Sequence, residues 1–148
     1  MLQCLINIIR TRILPTALGP IASSVGILIK GVLRRLPGEI TVKKRISGVG
    51  PFRFHSDYVF TDFEHWATGH NLAFADLVEE CSSKNCVLDI GAHIGITALP
   101  ISSVLAPGGR VHAFEASTTN LKMLRFHIRK NSVANIDVVP RLVGDQND

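Results

Sequence analysis

The rhythm of apolar and polar positions changes near residue 86. From there on, short β-prone runs (86–90, 110–114 and 136–140) alternate with stretches of helical period, about 94–105 and 118–131. In the second of these stretches Leu121, Leu124 and Ile128 recur on one face, while Lys122, Arg125, Arg129 and Lys130 fall on the other. Ser117 or Thr118 is placed to cap its start. In the first stretch Pro100 should shorten or kink the helix unless it falls in the opening turn. Pro107-Gly108-Gly109 marks the turn that follows. Strands alternating with helices predict an α/β fold, a parallel sheet joined by right-handed crossovers.

Upstream the pattern is different. Residues 62–81 read as a helix with Asp62 as a possible N-cap and Trp66, Phe74, Leu77 and Val78 on its apolar face. Residues 37–61 read as a β-hairpin, with turns at Pro37-Gly38 and at 47–51 and an aromatic cluster at Phe52, Phe54, Tyr58 and Phe60. Residues 1–36 form a leader. Within it Ile13–Ile29 runs 17 residues without a charge, bracketed by arginines and lysine. That length touches the lower limit for a spanning helix, but Pro15, Gly19, Pro20 and the serines weaken it. A soluble helical hairpin is the first expectation for the leader, an interfacial membrane helix the second and a cleaved signal the third. The division expected is thus 1–36 leader, 37–81 hairpin-and-helix extension, and 82–148 an α/β domain.

A chain of 148 residues has room for one domain and a small extension. Three scattered cysteines, Cys4, Cys81 and Cys86, make neither a disulfide framework nor a zinc site, and suit a reduced, cytoplasmic setting. The net charge of +4 is unevenly divided: residues 1–61 hold nine Lys/Arg against two acids, a local +7, and the remainder carries −3. The acidic half argues against nucleic acid as a partner, and the basic leader leaves peripheral contact with an anionic membrane open.

The candidate chemistry sits where the first strand of the α/β half ends. Val87–Gly95 reads V-L-D-I-G-A-H-I-G, an apolar run, an acid, then a glycine-rich turn. Twenty residues after Gly95 a second strand ends in Glu115. This is the layout of a nucleotide-type cofactor site at the carboxyl ends of parallel strands. A dinucleotide site would want G-x-G-x-x-G, so that pyrophosphate meets bare backbone, but His93 replaces the middle glycine. S-adenosylmethionine (SAM) has ribose and adenine and no phosphate, so D-x-G-x-x-x-G with a distant acid favours it over NAD. A tight βαβ turn with no ligand is the bland alternative.

The stretches C-V-L-D-I-G-A-H-I-G-I-T (86–97), A-P-G-G-R-V-H-A-F-E-A (106–116), N-L-K-M-L-R-F-H-I-R-K-N-S (120–132) and V-V-P-R-L-V-G-D (138–145) resemble the first half of a SAM-dependent methyltransferase of the FkbM family. The resemblance implies a Rossmann-like class I methyltransferase fold and methyl transfer to a hydroxyl of a sugar or secondary metabolite. His93 stands where the family commonly has Asn, and Ala116 where it commonly has Pro. The family's later acidic motif, which helps build the acceptor side, has no counterpart before Asp148. A fragment, truncated after the third strand and with a bare sheet edge open to self-association, is therefore expected.

The expected cofactor residues are Asp89, Gly91, Ala92, His93, Gly95, Glu115 and Asp145. Glu115 accepts hydrogen bonds from the ribose hydroxyls. Asp89 orders the loop or reaches the methionine amino group. Gly91 and Gly95, with Ala92 between them, give backbone access or simply shape the turn. His93 fixes the turn or contacts the methionine end. Asp145 either reaches toward adenine or is a surface acid. No metal ligands and no catalytic base stand out. The functional expectation is a SAM-dependent O-methyltransferase acting on a small-molecule or glycan hydroxyl, with a non-catalytic SAM-binding or interaction module as the alternative.

Overall fold

The computed structural model describes residues 19–35, 39–66 and 71–145. These group into two compact units, one drawn from the chain up to Val42 with Phe54–Asp62, the other from Lys43–Arg53 with the chain from Phe63 onward.

In the first unit, helix α1 spans Gly19–Arg35; the part of the leader before Gly19, and with it the expected helical hairpin, lies outside the described residues. Pro20 sits in its first turn, where the missing N–H has no intrahelical partner to lose. Strands β1 (Thr41–Ile46) and β2 (Val49–His55), whose residues from Lys43 to Arg53 belong to the second unit, form the expected hairpin. The turn is tighter than the sequence suggests: Ser47 and Gly48 alone make it, at φ +46° and +83°, and β2 begins at once. Inward positions alternate along both strands, burying Lys44 and Ile46 on one and Phe52 and Phe54 on the other. A 3₁₀ turn at Ser56–Tyr58 follows.

The second unit carries the α/β pattern. Helix α2 spans only Phe74–Glu80, so the helix expected over 62–81 is shorter at its start and Asp62 does not cap it. Strands β3 (Cys86–Ile90), β4 (Arg110–Phe114) and β5 (Ile136–Val139) form a parallel sheet in that order. Helix α3 (Ala98–Ser102) links the first pair and α4 (Thr118–Lys130) the second. Pro100 falls in the opening turn of α3, and the helix closes after five residues where twelve were expected. Ser117 caps α4, its side chain accepting from the Asn120 N–H.

Consecutive strands in sequential order, joined by crossovers of one hand, place both helices on one face of the sheet. The burial agrees. Val111, Ala113 and Ile136 share one face and are buried, whereas Leu88 and Ile90 point to the other and are 60% and 62% exposed. Among the described residues β3 has one neighbour, β4, so its outer edge is bare as expected. The exposed rear of the sheet is polar at the entry of the strands, where the Arg110 guanidinium forks onto Asp137 and His112 Nδ1 lies 3.5 Å from the same carboxylate.

Candidate functional site

The candidate site lies at the carboxyl ends of β3 and β4. After Ile90 the chain turns through Gly91 (φ +83°), His93 (φ +51°) and Gly95 (φ +94°), all left-handed. The turn is tied to β4 by its own N–H groups. Those of Gly91 and Ala92 both donate to the Phe114 carbonyl at 2.9 Å, and that of Gly95 donates to Ala92 at 2.8 Å. The His93 N–H donates to Glu115 Oε2 at 2.8 Å. Four N–H groups of the turn thus already have protein acceptors, and an anion would find none of these four free.

The two glycines have different reasons to be glycine. A Cβ on Gly91 would meet nothing within 4 Å, so its left-handed backbone faces open space. A Cβ on Gly95 would stand 2.9 Å from Leu124 Cδ1, so here the missing side chain lets α4 pack close.

Glu115 is buried, and both its oxygens accept backbone N–H groups: His93 at 2.8 Å and Ser117 at 2.7 Å. Burial works to raise its pKa. The Ser117 and His93 N–H groups, the Asn120 side chain and the nearby His93 imidazole outweigh it and hold the carboxyl below its ordinary value. A carboxylate has about four lone-pair sites, so acceptor capacity remains for a ligand hydroxyl.

Asp89 shares the helix-covered face with Ala113, its register partner on β4. Its Oδ2 is buried and has no hydrogen-bond partner among the described residues. Burial pushes this carboxyl up to about 6 from an ordinary 3.8. The structure therefore sets two acids at neighbouring strand ends, one whose oxygens each accept a backbone N–H and one with a buried oxygen that accepts none.

Next to Glu115 is a cleft of about 170 Å³ whose walls include Ile90, Gly91, Phe114, Arg141, Leu142 and Val143; Asp89 does not line it. Gly91 and Glu115 of the expected residues line it. Ala92 is buried and His93 is exposed, and neither lines the cleft. Asp145 is exposed and not part of the cleft wall; the segment 141–143 occupies that side instead. A second, wider hollow of about 410 Å³ adjoins the start of α3 at Thr97, between Trp66, Leu72 and Leu77.

One residue held against the turn lies outside the expected set. His127 on α4 is fully buried, and its Nδ1 lies 2.8 Å from the Ile94 carbonyl in the middle of the turn. A carbonyl only accepts, so this nitrogen carries the proton and donates. The signal was present: His127 follows Leu124 by three residues, a polar group beside the apolar stripe of an amphipathic helix. Asn131, one turn on, accepts from the Arg53 N–H at 2.7 Å and donates to the Arg53 carbonyl at 2.9 Å, pinning β2 to the end of α4. No cluster of His, Cys, Asp or Glu suited to a metal occurs among the described residues.

No protein-family model matches the chain, and no curated protein matches it. Solved structures do. TYW2 of Pyrococcus horikoshii, in complex with MeSAdo, is similar at 17% identity and a TM-score of 0.49, over 72% of this chain and 38% of that one. The O-methyltransferase of Bacillus cereus, in complex with SAH, is similar at 25% identity and a TM-score of 0.40, over 45% and 30%. A SAM-dependent methyltransferase of Aquifex aeolicus is similar at 20% identity and a TM-score of 0.41, over 46% and 37%. The chain spans roughly a third of the length of these proteins. Its own geometry is that of a Rossmann-like α/β fold, a βαβαβ parallel sheet with a glycine turn at the carboxyl end of β3 and an acid at the carboxyl end of β4.

Proposed function

We propose that this chain carries the cofactor side of a SAM-dependent methyltransferase of the FkbM kind, acting on a hydroxyl of a sugar or secondary metabolite. The observation that carries the reading is the buried, unpartnered carboxylate oxygen of Asp89 beside the open backbone of Gly91. Leaving a carboxylate buried without a partner is costly, and a cationic ligand repays that cost. SAM is cationic, with a sulfonium and an ammonium group. A pyrophosphate at the turn would find the N–H groups of Gly91, Ala92, His93 and Gly95 already engaged. The donor set therefore fits SAM and disfavours NAD.

In this reading Asp89 faces the amino-acid end of the cofactor. Glu115 accepts the ribose hydroxyls with the lone pairs that His93 and Ser117 leave unused. Gly91 allows close backbone approach. Ile90, Phe114, Leu142 and Val143 offer apolar walls to a heterocycle. When bound, SAM supplies an electrophilic methyl group. The protein's task is to align an acceptor oxygen with it, which is where most of the acceleration of such a displacement arises. The outer edge of β3, with β4 its one neighbour among the described residues, is the place where a further strand would pair.

Calorimetry with SAM and with NAD tests the reading. SAM should bind, NAD should not, and Asp89→Asn should lose SAM. Binding of NAD in preference to SAM would reject the assignment. Transfer of a labelled methyl group to a panel of hydroxyl compounds then separates an enzyme from a SAM-binding module.

A further inference from the structure

Helix α1 presents an apolar stripe to solvent. Val25, Ile27, Leu28 and Val32 are 44%, 72%, 67% and 51% exposed. The helix packs by a different side. The Phe60 ring lies 3.4 Å from the position a Cβ would take on Gly26 and 5.9 Å from Lys30 Nζ, and these two residues are four apart. Val25, Leu28 and Val32 follow at steps of three and four and share the face away from that contact, whereas Ile27 is exposed on another side of the helix.

The charge around this stripe is of one sign. The first 38 residues contain no Asp or Glu, while Arg10, Arg12, Lys30, Arg34 and Arg35 all fall within them. No helix among the described residues is long and apolar enough to cross a membrane. An amphipathic helix with aliphatic side chains on one face and a purely basic neighbourhood matches a surface that is apolar below and anionic above. A protein groove would more often be met by aromatic anchors, and this stripe has none.

We infer that α1 lies flat on a bilayer containing anionic lipid, its Val25, Leu28 and Val32 face entering the acyl boundary while the basic residues of the leader are drawn to the headgroups. Attraction to anionic headgroups is additive over such cations and is screened within a Debye length.

The test is co-sedimentation of the full chain with phosphatidylglycerol–phosphatidylcholine vesicles and with phosphatidylcholine alone. Binding is expected only to the anionic vesicles, and should weaken in about 1 M salt, where the Debye length is about 3 Å. Leu28→Glu with Val32→Glu should lower partitioning by at least about tenfold, since it puts charge where the apolar face must enter. Both positions are exposed, so the circular dichroism and unfolding midpoint should stay unchanged. Arg34→Gln with Arg35→Gln leaves the apolar face intact and should weaken anionic binding alone. Absence of the protein from the anionic pellet overturns the inference, as does equal binding to both vesicles. Concentration-dependent self-association that these glutamates abolish, without any lipid binding, also overturns it and assigns the stripe to a second copy.

Discussion

The ends of β3 and β4 each carry one acid, Asp89 opposite Ala113 and Glu115 two residues further along, and the two have been treated in opposite ways. Glu115 closes β4 with both oxygens bonded to backbone N–H groups and an ionisation favoured below its usual range. Asp89, one residue before the end of β3, has a buried oxygen with no partner and an ionisation pushed up to about 6. The engaged acid holds the turn in shape whether or not a ligand is present. The unengaged one is a liability to the free protein and an asset only when something cationic arrives. A stable frame beside one costly group is the arrangement expected of a preorganised binding site.

The contrast is broken most directly by Asp89→Asn, which keeps the shape and removes the charge. SAM affinity should fall by roughly a hundredfold, about the worth of a charge-assisted contact. The free protein should become more stable at neutral pH. The sign follows from the raised folded pKa. Between an ordinary 3.8 and about 6 the folded protein holds a proton that the unfolded chain has released, so stability declines as pH rises through that window. The full decline is about 3 kcal/mol for a shift of this size. Urea unfolding of the free protein from acid to neutral pH should show the slope, and the Asn variant should flatten it. For the same reason wild-type SAM affinity should fall by about tenfold for each pH unit below 6, because the proton must leave before the cation is held. A slope that survives in the Asn variant would place the titrating group elsewhere.

Glu115→Ala should do the reverse to stability. It strips acceptors from the His93 and Ser117 N–H groups, which should destabilise the free protein by about 1–3 kcal/mol. It should also weaken SAM by about tenfold to a hundredfold through loss of the ribose contact. Binding of adenosine isolates the second effect, since adenosine has the ribose and lacks the charge that Asp89 meets. Unchanged adenosine and SAM affinity in a folded Glu115→Ala protein would leave Glu115 a purely architectural role.

Gly95→Ala probes the frame behind both acids. The new Cβ would stand 2.9 Å from Leu124 Cδ1 at a φ of +94°, so a loss of about 1–3 kcal/mol in unfolding free energy is expected. Pairing it with Leu124→Val relieves the contact and leaves the backbone strain, so only part should return. Gly91→Ala has the strain without the contact and should cost less stability than Gly95→Ala, while placing a methyl group where close approach by a ligand is proposed.

Much of this frame could be read from the sequence because it rests on local periodicity. The three parallel strands, the α4 stripe of Leu121 and Leu124, the Ser117 cap and the turn between an acid and Gly95 are all short-range patterns. The helices next to them were misjudged where tertiary packing or a single residue decides: α3 ends after five residues, and α2 starts at Phe74, twelve residues after the acid proposed to cap it. The site itself was half legible. Spacing marks Asp89 and Glu115 as a pair but carries nothing on which is bonded and which is bare, since the partners are backbone groups brought in by the fold. The cleft wall at 141–143 is not legible in the sequence because an irregular segment has no period to read.

The smallest effect expected is at His127, and it tests how far the frame extends from the acids. Its Nδ1 donates to the Ile94 carbonyl from the buried side of α4, so the turn is held from behind by a helix as well as from beside by Glu115. His127→Leu removes the donor and leaves a buried carbonyl short of a partner, at about 1 kcal/mol. His127→Asn keeps an N–H at a similar reach and should recover most of it. If the turn were held by Glu115 alone, the two variants would differ in stability yet bind SAM equally. If both anchors shape the site, His127→Leu should lower SAM affinity severalfold and His127→Asn restore it, with NAD rejected throughout.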